Sequence, residues 1–177
     1  MRSFGSDNNS GVDHRIMEAL SKANVDHTIA YGDDKWTQEA SEVISELLVN
    51  KDVNSYFVFN GTGANVVALQ ACTLPFHSII CASTAHIAVD ECGAPVKLTG
   101  ASLKEVPTPD GKLTPELVKP YLHGFGFEHH SQPKVIAISQ TTELGTAYTI
   151  EEIKSLAELA HENDMYLFVD GTRIANA

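Results

Sequence analysis

Apolar and polar positions along the chain alternate between two spacings. Residues 12–23 and 36–49 carry apolar side chains every three to four positions. In the second stretch Trp36, Ala40, Val43, Ile44, Leu47 and Leu48 fall on one side, the signature of an amphipathic helix. Between and beyond these lie short, nearly uninterrupted apolar runs. Tyr56–Phe59, Ser78–Cys81, Val96–Leu98, Leu103–Val106, Val135–Ile138 and Tyr166–Val169 each predict a strand. Helices are predicted between them. One runs from Ala64 to about Cys72, a short one spans residues 87–94, and one opens at Thr114-Pro115, with Thr as N-cap and Pro in the first helical position. Pro109-Asp110-Gly111 reads as a turn. A further helix starts at Thr149, where Glu152 three residues later completes a capping box and Ile150, Ile153, Leu156, Ala157 and Ala160 supply the apolar face.

Strands that are apolar throughout, alternating with helices, predict an α/β fold of three layers: a mostly parallel central sheet with helices on both faces. Ligands of such sheets bind beyond the carboxyl ends of the strands. The residues that follow strands are therefore the ones to read for chemistry.

Composition narrows the field. Among 177 residues, 23 are acidic and 12 basic, a formal net charge of −11. That surface repels nucleic-acid backbones, and no basic stripe offsets it. No apolar run reaches the roughly 20 residues that cross a bilayer, and Met1–Asp7 lacks the apolar core of a secretion signal. The expectation is a cytoplasmic protein with neither a membrane nor a nucleic acid as partner. Cys72, Cys81 and Cys92 form no C-x-x-C pair and read as buried, reduced thiols. His123, His129 and His130 read as a solvated loop, and no metal is expected.

Three groups stand just after predicted strands. Gly61-Thr62-Gly63-Ala64-Asn65 lies between a strand and a helix, where free N–H groups and the helix dipole suit a phosphate. It is neither a Walker loop, lacking the Gly-Lys-Ser/Thr ending, nor the dinucleotide fingerprint, having Val66 in place of the last glycine. His86, followed by Asp90-Glu91-Cys92-Gly93-Ala94, begins a polar turn in which an imidazole could stack on a flat ring or move a proton. Asp170-Gly171-Thr172-Arg173 follows the last strand. A carboxylate there could hold a cationic ring nitrogen, and the guanidinium could bind a carboxylate. Taken singly, each also has a plain structural reading: a strand-to-helix turn, a hydrogen-bonded loop histidine, a helix-capping Asp beside a surface Arg.

Their order along the chain resembles that of the aspartate-aminotransferase-like enzymes that use pyridoxal 5'-phosphate (PLP). It is more similar still to the threonine aldolases and related beta-eliminating lyases. Five stretches carry the resemblance: Phe4-Gly5-Ser6-Asp7-Asn8, Tyr31-Gly32-Asp33-Asp34, Asn60-Gly61-Thr62-Gly63-Ala64-Asn65, His86 with Asp90–Ala94, and Asp170–Ala177. The resemblance implies the large, coenzyme-binding domain of a PLP-dependent transferase-like fold over residues 1–177. Gly61, Thr62 and Gly63 would seat the PLP phosphate, His86 would stack on the ring, Asp170 would pair with the ring nitrogen, Arg173 would lie beside coenzyme and substrate carboxylate, and Ser6 would contact that carboxylate. The implied reaction is retro-aldol cleavage of L-threonine or L-allo-threonine to glycine and acetaldehyde, catalysed by a homo-oligomer (dimer or tetramer). A beta-eliminating lyase, another amino-acid PLP enzyme, and a non-catalytic relative remain as alternatives.

The chain departs from the family pattern in places. The family's Schiff-base lysine lies downstream of the Asp-x-x-Arg segment, whereas every lysine here falls at or before Lys154. The expectation is that residues 1–177 are an incomplete domain, inactive alone, without the later strands and the small C-terminal domain, and prone to associate through an open sheet edge. Gln140–Thr146 stands where many members carry Glu-Asn-Thr-His-Asn, Lys35-Trp36-Thr37 replaces a Tyr-Gly-Glu continuation, and Thr172 replaces alanine.

Overall fold

The computed structural model of the chain describes residues 5–177. They divide into two compact units, the first ending at Tyr56 and the second spanning Phe57–Ala177.

In the first unit, Asp7–Asn9 form a 3-10 turn, followed by helices α1 (His14–Ala23) and α2 (Lys35–Leu47). Side chains cap both helices: Asp13 accepts from the N–H of Arg15, and Asp34 from that of Thr37. Neither helix contains a buried residue.

The second unit is built on a four-stranded sheet. Its strands are β1 (His77–Ala82), β2 (Ser102–Val106), β3 (Gln132–Ser139) and β4 (Tyr166–Asp170), in the order β2-β1-β3-β4. Every neighbouring pair is parallel. The helices are α3 (Gly61–Cys72), α4 (His86–Val89), α5 (Ala94–Thr99), α6 (Pro115–Val118) and α7 (Ile150–Glu162). Between β1 and β2 the chain moves one way across the sheet, and from β2 to β3 to β4 it moves the other way. Right-handed crossovers therefore put α4 and α5 on one face and α6 and α7 on the opposite face. Packing agrees, since α3 lies against α5, and α6 against α7. The three-layer α/β expectation holds, and the sheet is parallel throughout.

Strand position explains strand burial. The central strands are buried on both faces: Ile79, Ile80 and Cys81 of β1 and Val135 and Ile136 of β3 are fully enclosed. Edge strands β2 and β4 are mostly half-buried. Leu69 of α3, Val118 of α6, and Leu156, Leu159 and Ala160 of α7 close the core. Enclosing each large aliphatic side chain contributes roughly 1.5–3 kcal/mol.

Two expected strands do not form. Among the described residues, 56–59 find no ladder partner, and Tyr56 and Phe59 are 81% and 99% exposed. The run has the right apolar character, but a strand also needs a neighbour to take its hydrogen bonds. Val96–Leu98 lie in helix α5 instead. Gly93 and Gly100, with φ of 73° and 72°, open and close that turn in the left-handed region, and Pro95 starts it at a position that needs no N–H donor. Punctuation at both ends overrides a three-residue apolar run. The thiols also differ from expectation: Cys81 is buried and Cys72 partly so, but Cys92 is exposed. The histidine loop is clasped by Gln132. Its amide donates to the carbonyls of Gly124, Phe127 and His130, and its oxygen accepts from the N–H of Gly126.

Candidate active site

Helix α3 begins at the glycines themselves. Asn60 is its N-cap, and its side-chain oxygen accepts from the N–H of Gly63 at 2.8 Å. The carbonyl of Asn60 accepts from Ala64. Among the described residues, the N–H groups of Gly61 and Thr62 therefore remain as free donors of the first turn, on a helix of 12 residues with a developed dipole. Gly61 faces open space, whereas a side chain at Gly63 would crowd the Asn60 cap at 3.2 Å. Of the three residues expected to seat a phosphate, two keep free amides. The third is committed to the cap, and its lack of a side chain leaves that cap room.

One turn into α3, Asn65 is buried and polar on a helix that is otherwise apolar inward. Its amide nitrogen donates to Glu91 Oε1 at 2.6 Å and to Asp170 Oδ2 at 3.2 Å. Both partners are carboxylates, so the NH2 end must face them; the reverse orientation would set three oxygens against one another. Glu91 Oε1 also lies 2.9 Å from His86 Nδ1. Thr172 donates to Asp170 Oδ1 from its backbone N–H at 3.1 Å and from its hydroxyl at 2.6 Å. Asp170 is thus held by three donors at the carboxyl end of β4.

The turn bearing His86 is fixed from a second direction. Helix α4 has no side-chain cap of its own. Glu143, on the segment after β3, supplies one: its Oε1 accepts from the His86 backbone N–H at 2.9 Å and from the Ser139 hydroxyl at 2.7 Å. Buried Gln140 anchors that segment. Its N–H donates to the Asp170 carbonyl, its side-chain amide donates to the Tyr148 carbonyl, and its side-chain oxygen accepts from the Tyr148 N–H.

The first turn of α3, His86 and Asp170 therefore belong to one hydrogen-bonded assembly at the carboxyl ends of β1, β3 and β4. The course of the chain reverses between β1 and β3, so this is the switch point where open α/β sheets bind ligands. The imidazole is 45% exposed and available to a flat ring, while the Glu91 side chain behind it is fully enclosed. A group with an anionic tail, a planar body and a cationic ring nitrogen fits this donor set. Arg173 lies on the exposed turn after Asp170. Ser6 lies in the first unit, where its hydroxyl accepts from the N–H of Asn8; its expected neighbour Phe4 is outside the described residues. Asn65, Glu91 and Glu143 join the site through contacts that motif spacing does not assign. A buried-side Asn on an apolar helix face was the available signal for the first, whereas Glu143 acts only through a long-range contact.

A sequence model described as "Beta-eliminating lyase" matches residues 3–177. The chain belongs to the beta-eliminating lyase family. The low specificity L-threonine aldolase of Pseudomonas aeruginosa is 40% identical over 175 residues, covering 98% of this chain and 50% of that protein. The counterpart from Saccharomyces cerevisiae is 28% identical over 165 residues, covering 92% and 42%. A solved structure of Leishmania major threonine aldolase superposes with a TM-score of 0.91 at 34% identity, over 96% of this chain and 49% of that one. The chain spans about half the length of these relatives.

Proposed function

We propose that this chain is the coenzyme-seating part of a PLP-dependent aldolase that cleaves L-threonine or L-allo-threonine to glycine and acetaldehyde. The observation that carries the reading is Asn65. It sits one turn beyond the free amides of Gly61 and Thr62 and bonds both to Asp170 and to the carboxylate that holds His86. In this reading residues 1–177 are part of the large domain of a cytoplasmic homo-oligomer. Among the described residues no helix is long and apolar enough to cross a membrane. The 40% identity to a named aldolase over nearly the whole chain supports the choice of reaction.

PLP, when bound, supplies an electron sink for breaking a bond at the amino acid α-carbon. The chain's own residues do the rest. The Gly61 and Thr62 amides, the Thr62 hydroxyl and the α3 dipole hold the phosphate. The half-exposed His86 imidazole would serve as the stacking partner for the ring and would offer a nitrogen for proton movement. Asp170, kept in place by Asn65 and Thr172, would pair with the ring nitrogen and help to keep its proton. Arg173 is assigned to the substrate carboxylate.

Loss of Asp170 tests the seat. In the protein carrying this chain, Asp170→Ala should weaken PLP binding tenfold or more, about 1.4 kcal/mol, with Asp170→Glu retaining a part. Visible absorbance during PLP titration reads this directly. Glycine and acetaldehyde released from threonine then identify the reaction, and release of a β-substituent with pyruvate would assign elimination instead. Undiminished PLP binding by Asp170→Ala would refute the seat.

A further inference from the structure

Glu91 is enclosed, yet only one of its oxygens is used. Oε1 receives Asn65 Nδ2 at 2.6 Å and faces His86 Nδ1 at 2.9 Å, while among the described residues Oε2 has no hydrogen-bond partner. This lopsided arrangement constrains where protons lie. The Asn65 amide nitrogen can only donate, so Oε1 must accept from it. In a protonated carboxyl group the hydroxyl oxygen is the poorer acceptor. A proton on Oε1 pointing at His86 would therefore set the short Asn65 bond against the wrong oxygen and leave the better acceptor, Oε2, buried with nothing. A proton on Oε2 would be a buried donor without a partner, a cost of about 1–3 kcal/mol. In the remaining arrangement Oε1 accepts twice, from Asn65 Nδ2 and from His86 Nδ1.

We infer that Glu91 is a positioning residue that holds His86 in the tautomer with the proton on Nδ1, so that Nε2 carries the free lone pair. Histidines in working sites are commonly set this way by a carboxylate on the other ring nitrogen. Asn65 extends the control: by donating to both Glu91 and Asp170 it ties the orientation of the imidazole to the carboxylate assigned to the ring nitrogen. The backbone N–H of His86, held by Glu143, fixes the turn independently, so loss of Glu91 frees the ring without releasing the chain. The use of Nε2 as a proton acceptor during catalysis rests on the function proposed above; the tautomer does not.

The test is 15N solid-state NMR of the histidine-labelled protein carrying this chain, without coenzyme, at about pH 8.5, where imidazoles are ordinarily neutral. His86→Gln assigns the resonances. The expected wild-type spectrum shows His86 protonated at Nδ1 and bare at Nε2. Glu91→Met should shift the proton to Nε2, whereas Glu91→Gln, which keeps an acceptor oxygen, should retain it on Nδ1. A wild-type His86 protonated at Nε2 overturns the inference. So does a folded Glu91→Met, checked by far-UV circular dichroism, with the proton still on Nδ1. Should the methionine variant not fold, the wild-type spectrum and the glutamine variant decide alone. PLP binding, followed by visible absorbance on the same samples, separates the two ideas. Absent binding with the Nδ1 tautomer present refutes the function and leaves the role of Glu91 standing. Binding together with the Nε2 tautomer does the reverse.

Discussion

Helices α1 and α7 are written in much the same pattern and end up in different circumstances. Each has an apolar side at three-to-four-residue spacing and a side-chain N-cap. Yet α7 encloses Leu156 and Ala160 completely, while on α1 Ile16 and Leu20 are 55% and 57% exposed. The second helix finds two parallel strands and α6 beside it; the first has no buried residue. Periodicity therefore states what a helix can bury, and only tertiary context states whether it does. In the second unit burial holds the structure. In α1 and α2, caps and local hydrogen bonds carry more of the load.

Cavity-forming substitutions should separate the two most widely. Leu156→Ala should cost about 2–5 kcal/mol of unfolding free energy in urea, because a fully enclosed side chain leaves a void. Leu20→Ala should change it by no more than about 0.5 kcal/mol, as for a surface site. Equal losses would mean that α1 is as well covered as α7, and the contrast would fail.

A buried hydroxyl sharpens the same point inside the second unit. The Tyr148 oxygen accepts from the Leu113 N–H at 2.7 Å, and burial pushes this phenol well above the ordinary tyrosine range. Tyr148→Phe leaves that N–H enclosed and unpaired and should cost about 1–3 kcal/mol. Tyr31 in the first unit is wholly exposed, and Tyr31→Phe should be neutral by the same measurement.

Much of this was legible beforehand. The capping box at Thr149 and Glu152, the central strands and the turn residues are local, and local chemistry writes itself into sequence. His86 and Asp170 could be marked because parallel sheets place ligands after strands. The run at residues 56–59 misled because a strand needs a partner that its own residues do not encode. Val96–Leu98 misled because two glycines and a proline outweighed apolar character. The bridge through Asn65 and Glu91 was illegible for a third reason. It joins positions 65 and 91 to the already marked 170 through side chains, and the first two look ordinary until the sheet brings them together.

Caps give the finest comparison. Thr149→Ala removes the hydroxyl that accepts from the Glu152 N–H and should cost about 1 kcal/mol in the global transition, since α7 is part of the core. The equivalent on α2 is Asp34. The Thr37 hydroxyl at 2.7 Å and the Thr37 N–H at 2.9 Å hold its carboxyl below the ordinary 3.8. A folded-state value below the unfolded one means that the cap's contribution is complete above the unfolded pKa and is lost as pH falls through the folded one. The cap on α2 should therefore be intact at neutral pH and weaken only below the ordinary carboxylate range. Thr37→Val deletes the larger of the two causes, the hydroxyl, and keeps the backbone donor. The Asp34 carboxyl carbon, followed by NMR, should then titrate closer to 3.8, with no change in the urea midpoint of the second unit. A shift in that midpoint would show that α2 shares the cooperative core after all, and would remove the distinction between locally capped and globally buried helices.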